Sequence, residues 1–148
     1  MQPDFTIAFR NDFYVLDDVT TCLSRAAIQE RSQVDLLNTR VMVFDSTGKF
    51  QVQRHFKRGI SDGAFADRLG GITSSPDGHI YLSDTGNDRV QIFNSTLHYT
   101  SQFGDAGIRP GQFNSPTLLS ASSTHLFVLD SGKGQKRVQA FELPKTKA

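Results

Sequence analysis

The stretch Ile72-Thr73-Ser74-Ser75-Pro76-Asp77-Gly78-His79-Ile80-Tyr81-Leu82-Ser83-Asp84-Thr85-Gly86-Asn87-Asp88-Arg89-Val90-Gln91-Ile92-Phe93 decides the fold. Short apolar runs alternate with turn chemistry. Pro76 presets φ, Asp77 can bond the backbone ahead, and Gly78 supplies positive φ. The spacing predicts strands over Ile72–Ser75, Ile80–Ser83 and Arg89–Phe93, with a fourth over Tyr99–Phe103. Val90 and Ile92 fall on one face and Phe93 on the other, so both faces of the third strand are apolar. That pattern suits a sheet covered on both sides.

Outward from this stretch the chain repeats itself. Phe13-Tyr14-Val15-Leu16-Asp17, Ile80-Tyr81-Leu82-Ser83-Asp84 and Leu126-Phe127-Val128-Leu129-Asp130 share one pattern, an apolar–aromatic–apolar run ending in Asp. Arg40-Val41-Met42-Val43-Phe44, Arg89-Val90-Gln91-Ile92-Phe93 and Arg137-Val138-Gln139-Ala140-Phe141 share another. The arginines lie 49 and then 48 positions apart. Asp45-Ser46-Thr47 matches Asn94-Ser95-Thr96, and Gly63-Ala64-Phe65 matches Gly111-Gln112-Phe113, at the same period. A unit of just under ~50 residues built from short strands is the size of a four-stranded propeller blade. The expected architecture is an all-β partial β-propeller of about three four-stranded blades, the last incomplete. The divisions are a degenerate first blade at 1–60 with an insertion at 18–39, a second at 61–109, a third at 110–143 and a tail at 144–148.

Residues 71–93 resemble an NHL repeat, and Phe103-Gly104 with Pro110-Gly111-Gln112-Phe113-Asn114-Ser115-Pro116 resemble that family's link to a following blade. The resemblance is specific over 71–116, fair over 117–142 and weaker before 60. The first copy departs most, because the 22 residues Asp18 to Thr39 separate its Asp17 from Arg40, where the middle copy has only Thr85 to Asp88. NHL domains of tripartite-motif proteins include protein binders and RNA binders, so the resemblance implies a binding platform. No RING or B-box zinc sequence accompanies it, and ligase activity is not implied.

Composition narrows the classes further. The 148 residues carry 16 Lys and Arg against 15 Asp and Glu, a net charge of +1. Such balance gives the whole chain no electrostatic preference for nucleic acid or an anionic membrane. The single cysteine, Cys22, excludes an intrachain disulfide and a multi-thiolate zinc site. No run approaches the ~18 apolar residues of a membrane span, and Met1-Gln2-Pro3-Asp4-Phe5 does not read as a secretory signal. The expectation is a soluble, reduced, cytoplasmic protein without cofactor.

Asp84 and Arg89 flank a tight connection and recur as Asp17/Arg40 and Asp130/Arg137. A ligand site is usually made once, whereas a scaffold contact is made in every blade, so these six read as a structural clamp between blades. Function in repeat proteins sits in what differs between repeats. Lys57, Arg58, Asn87, Arg109, Lys133 and Lys136 fall in loops expected on one rim and form the candidate partner-binding surface. A protein partner is the leading expectation and RNA the second. The insertion at 18–39 reads either as a docking element, with a short helix capped by Thr20 or Thr21, or as a tolerated surface loop.

The sequence offers no catalytic constellation. His79 and His125 precede matching strands and belong to turns on one rim, without a carboxylate set that completes a metal site. No Gly-x-Ser-x-Gly elbow occurs, and Gly132-Lys133-Gly134 lacks phosphate-loop spacing. The resemblance nevertheless implies a rival class, a fragment of an amidating-lyase-like, metal-dependent propeller enzyme. Propellers close with ~4–8 blades. Three imply either two chains forming a six-bladed ring or a piece of a longer propeller.

Overall fold

The computed structural model describes residues 5–9, 12–18, 36–45, 47–66, 69–134 and 136–145. They form three sheets. The first has β1 (Phe5–Phe9), β2 (Asp12–Asp18), β3 (Leu36–Asp45), β4 (Phe50–Arg58) and the two-residue β5 (Ala64–Phe65), hydrogen-bonded in that order. The second has β6 (Leu69–Ser74), β7 (Ile80–Asp84), β8 (Arg89–Phe93) and β9 (Tyr99–Phe103). The third has β10 (Pro116–Ala121), β11 (His125–Asp130) and β12 (Arg137–Glu142). Each sheet is an antiparallel meander, apart from the parallel β4–β5 contact where the connector folds back. The chain is an all-β partial propeller whose third sheet has three strands among the described residues.

The second sheet departs little from the sequence reading. Its first strand starts earlier, at Leu69, and stops at Ser74, because Ser75 begins the turn. The Ser75 N–H donates to the His79 carbonyl at 2.9 Å, and the Gly78 N–H donates to the Ser75 carbonyl at 2.9 Å. Gly78 holds φ +92°, which its missing Cβ permits.

The first sheet departs more. Leu36–Thr39, assigned to the insertion, are part of β3, with Leu36 opposite Lys57 and Thr39 opposite Asp18. Pairing on both flanks extends the strand where its sequence does not alternate. A register irregularity lies between Leu36 and Arg40. Asp18 likewise ends β2, and residues 19–35 of the expected insertion, including its short helix, lie outside the described residues.

The innermost strands meet edge to edge, with β6 between β1 and β10. Close approach of β6 and β10 needs Gly71, where a Cβ would stand 2.5 Å from the Thr117 carbonyl oxygen. Hydroxyls lace the same seam. Ser83 Oγ donates to the Thr117 carbonyl, and Thr85 Oγ1 donates to that of Pro116 at 2.7 Å.

Two apolar cores lie between the sheets. Val41, Val43 and Phe56 of the first meet Ile72, Ile80, Leu82, Phe93 and Leu97 of the second, with Phe65 between them. Tyr81, Val90, Ile92 and Phe103 of the second meet Leu126, Val128 and Phe141 of the third, with Phe113 between them. Val90 and Ile92 thus face one neighbour and Phe93 the other, as the strand pattern requires. An aromatic triad sits in each core. Phe56, Phe65 and Phe93 have ring centroids 5.0, 5.3 and 6.2 Å apart, and Phe103, Phe113 and Phe141 have theirs 4.8, 5.8 and 6.0 Å apart. Each such pair adds ~0.5–1.5 kcal/mol beyond area burial.

Candidate functional site

Asp84 ends β7 and Arg89 begins β8, directly opposite in register. Both are buried, and Arg89 Nε donates to Asp84 Oδ2 at 2.7 Å. Their remaining atoms do not face a ligand. Arg89 Nη2 donates to the carbonyls of Ser61 (3.0 Å) and Ala64 (2.8 Å), while Asp84 Oδ1 accepts the Ala66 N–H at 3.1 Å. Gln91 completes the grip, donating to the Ala64 carbonyl at 2.7 Å and accepting the Gly63 N–H at 2.9 Å.

The third sheet repeats this group by group. Arg137 Nε reaches Asp130 Oδ2 at 3.2 Å, and Asp130 Oδ1 accepts the Asn114 N–H at 2.7 Å. The Arg137 guanidinium donates to the carbonyls of Ile108, Arg109 and Gln112. Gln139 donates to Gln112 at 2.7 Å and accepts from Gly111 at 2.9 Å. Each Asp–Arg pair therefore lies within one sheet and holds the connector arriving from the sheet before it. Those connectors have many backbone groups outside any ladder, and the clamp supplies their partners. In the first sheet Arg40 stands opposite Asp17 in register and donates to Gln53 at 3.0 Å, and Met42 occupies the place of the clamp glutamine.

Asn87, counted with the rim, turns inward. Its Nδ2 donates to the Gly59 carbonyl at 3.0 Å and to Asp84 Oδ2 at 2.8 Å. Asp88 holds φ +53° and its Oδ1 accepts the Ser115 N–H at 2.7 Å, tying one loop to the next. Gly132 packs on Asn114, where a Cβ would meet the backbone carbonyl at 2.5 Å. These contacts gather the loops 59–66, 85–88, 105–115 and 131–134 at one end of the sheets.

On that end Lys57, Arg58, Arg109, Lys133 and Lys136 are exposed. So are two residues the sequence reading passed over, Ile60 at 82% and Ile108 at 67%. They occupy matching connector positions, 48 apart, in Gly59-Ile60 and Gly107-Ile108. Recurrence of the Gly-Ile pair was the signal available for them. Asp62 and Asp105 are also exposed there and dilute the positive field.

The opposite end carries the hairpin turns. Asp45 and Asn94 each fold their turn by accepting backbone N–H bonds, from Thr47 and Lys49 and from Thr96 and His98. A groove of about 530 Å³ runs between the turns at 75–77 and 123–125, so His79 and His125 share one rim. His79 Nδ1 lies 2.8 Å from Asp77 Oδ2. Burial pushes the Asp77 carboxyl up, but hydrogen bonds from Ser75 and His79 outweigh it and hold the group below its ordinary 3.8. Among the described residues no three His, Cys, Asp or Glu side chains converge as metal ligands, and no helix is long and apolar enough to cross a membrane.

No curated protein matches the chain. Residues 67–93, which span most of the second sheet, match the family model of the NHL repeat.

Proposed function

We propose that the chain is a non-enzymatic, cytoplasmic interaction scaffold that engages a protein partner through its connector end. One observation carries the reading. Ile60 and Ile108 stand out of the connectors beside Lys57, Arg58 and Arg109, with Lys133 and Lys136 on the same end. Isolated exposed apolar residues are ordinary. Two β-branched ones recurring at one position among cations suit a partner that offers an apolar contact ringed by acidic side chains. The recurring Asp, Arg and Gln residues are spent on holding backbone, which favours the varying loops as the contact surface.

The test is site-directed photo-crosslinking in cells, from positions 60 and 108 with position 123 on the opposite end as control. The reading expects discrete adducts from 60 and 108, absent from 123, and lost with Ile60→Asp plus Ile108→Asp in a chain that keeps its thermal stability. Equal adducts from both ends, or adducts indifferent to the aspartates, would overturn it.

The five exposed cations favour RNA as a second reading. It requires affinity for single-stranded RNA that falls steeply with salt and drops on neutralising Lys57, Arg58 and Arg109. A further part of the proposal is ring closure, by two copies forming six sheets or by additional NHL sheets. It is supported by the uncovered third-sheet face, where Leu118, Phe127 and Val138 are exposed.

A further inference from the structure

The connectors that reach the two clamps are built alike, Gly-Ile first and Gly last. Gly59-Ile60-Ser61-Asp62-Gly63 leads into β5, and Gly107-Ile108-Arg109-Pro110-Gly111 holds the matching place 48 positions on. The carbonyl of the third residue is used in the same way in both. That of Ser61 accepts from the Ala64 N–H at 3.0 Å and from Arg89 Nη2 at 3.0 Å. That of Arg109 accepts from the Gln112 N–H at 3.0 Å and from Arg137 Nη2 at 3.3 Å. Both side chains are exposed. One connector thus presents a cation where the other presents a hydroxyl, and among the described residues that hydroxyl has no hydrogen-bond partner.

Lys57 and Arg58 precede the hydroxyl by four and three positions, and both are exposed. Of all the serines and threonines in the chain, Ser61 alone has Arg or Lys three positions before it. A cation at that spacing pairs with the carboxylate-lined cleft of a basophilic serine kinase, so charge complementarity singles out one acceptor. Other exposed hydroxyls, such as those of Thr47, Ser95, Ser122 and Thr124, have an apolar residue at that place.

We propose that Ser61 is the acceptor site of an arginine-directed serine kinase, and that its phosphorylation switches off the contact made by the connector end. In the step, Ser61 Oγ attacks the γ-phosphorus of ATP. The new O–P bond forms as the bond to the β,γ-bridging oxygen breaks, ADP leaves, and the hydroxyl proton passes to the kinase's base. The clamp holds the Ser61 carbonyl and not its hydroxyl, so the phosphate leaves the connector's hydrogen bonds in place. Residues 57–62 carry a net charge of +1. A phosphoserine adds about −1.5 to −2, so the connector beside Ile60 becomes acidic and repels an acidic partner. The switching half rests on the partner reading above, and the acceptor half does not.

The full chain is incubated with radiolabelled ATP and the catalytic subunit of cyclic-AMP-dependent protein kinase. Beside it runs a free peptide of residues 55–64, His-Phe-Lys-Arg-Gly-Ile-Ser-Asp-Gly-Ala. Both are expected to take up phosphate, mapped to Ser61 by mass spectrometry. Arg58→Ala is expected to slow uptake at least about tenfold, in chain and peptide alike. A folded chain that stays unlabelled while the peptide reacts has its connector closed to kinases, which overturns the site. So does an unlabelled peptide, a label on another residue, or uptake indifferent to Arg58→Ala. The switch is read in cells by the photo-crosslink from position 108. Ser61→Asp should lower its adducts at least about threefold, and Ser123→Asp, at the opposite end, should leave them unchanged. Adducts indifferent to Ser61→Asp overturn the switch, while phosphate on Ser61 stands. Absence of adducts from the chain with neither aspartate overturns the partner reading and the switch with it, and the acceptor site still answers to the kinase assay alone.

Discussion

Asp84 illustrates how one carboxylate organises a connector. Its oxygens accept from Arg89, Ala66, Asn87 and Gln91, and it is wholly buried. Asp84→Ala leaves the Arg89 guanidinium buried and unmatched, a loss of ~3–5 kcal/mol. Asp130→Ala should cost less, because Arg137 keeps 21% of its side chain in water where Arg89 keeps 8%. Arg89 also bonds Gln102 of β9, and the third sheet shows no such strand among the described residues. Denaturant titration of both variants checks the ranking, and equal losses would contradict it. Asp77 gives a pH prediction of known sign. Its carboxyl lies lower in the folded chain than its ordinary 3.8, so its contribution is full above that value and is lost as pH falls through the lowered one. Asp77→Asn should therefore flatten the stability curve below about pH 4, leaving it unchanged in slope near neutrality. The clamp's two charged members were legible in the sequence, since Asp and Arg recur. Gln91 and Gln139 recur too, yet their bonds run to backbone carbonyls of a distant loop, which spacing alone does not reveal. Asn87 reads as a loop residue for the same reason, although its amide is used inside.

At the scale of the element, the strands were legible wherever apolar runs end in turn residues. The second sheet's four strands follow its Pro-Asp-Gly and Asx turns. β3 was not, because Leu36-Leu37-Asn38-Thr39 carries no alternation, and pairing with β2 and β4 decides its start. Contact between elements turns on Gly71. Replacing it by Ala drives a Cβ against the Thr117 carbonyl and the Leu118 Cα, both backbone atoms that cannot swing aside. Gly71→Ala should cost ~1–3 kcal/mol by separating β6 from β10. Thermal unfolding followed by circular dichroism checks it, and an unchanged midpoint would contradict the close approach.

For the whole molecule, the period of the sequence already implied sheets packed face to face. Which loops gather at one end was set by contacts such as Asn87 with Gly59 and Asp88 with Ser115, which no local pattern encodes. Phe127 stands where Tyr81 stands 46 positions earlier, and Val138 where Val90 stands, 48 earlier. Tyr81 and Val90 are buried against the third sheet, whereas Phe127 is 38% and Val138 64% exposed. An apolar sheet face of this kind promotes association. Light scattering across a concentration series should show it, and Phe127→Ser with Val138→Lys should reduce it. A wild-type chain that stays monomeric at every concentration would contradict this.

Recurring polar residues hold the connectors from one sheet to the next. Amide hydrogen exchange tests it most directly. Gly63, Ala66, Gly111 and Asn114 lie in loops or bends, yet each N–H donates to a clamp side chain. The account predicts that these four exchange as slowly as strand amides, and that Asp84→Ala releases Ala66 and Gly63 while Gly111 and Asn114 stay protected. Exchange of all four at the rate of open loops in the unmodified chain would contradict it.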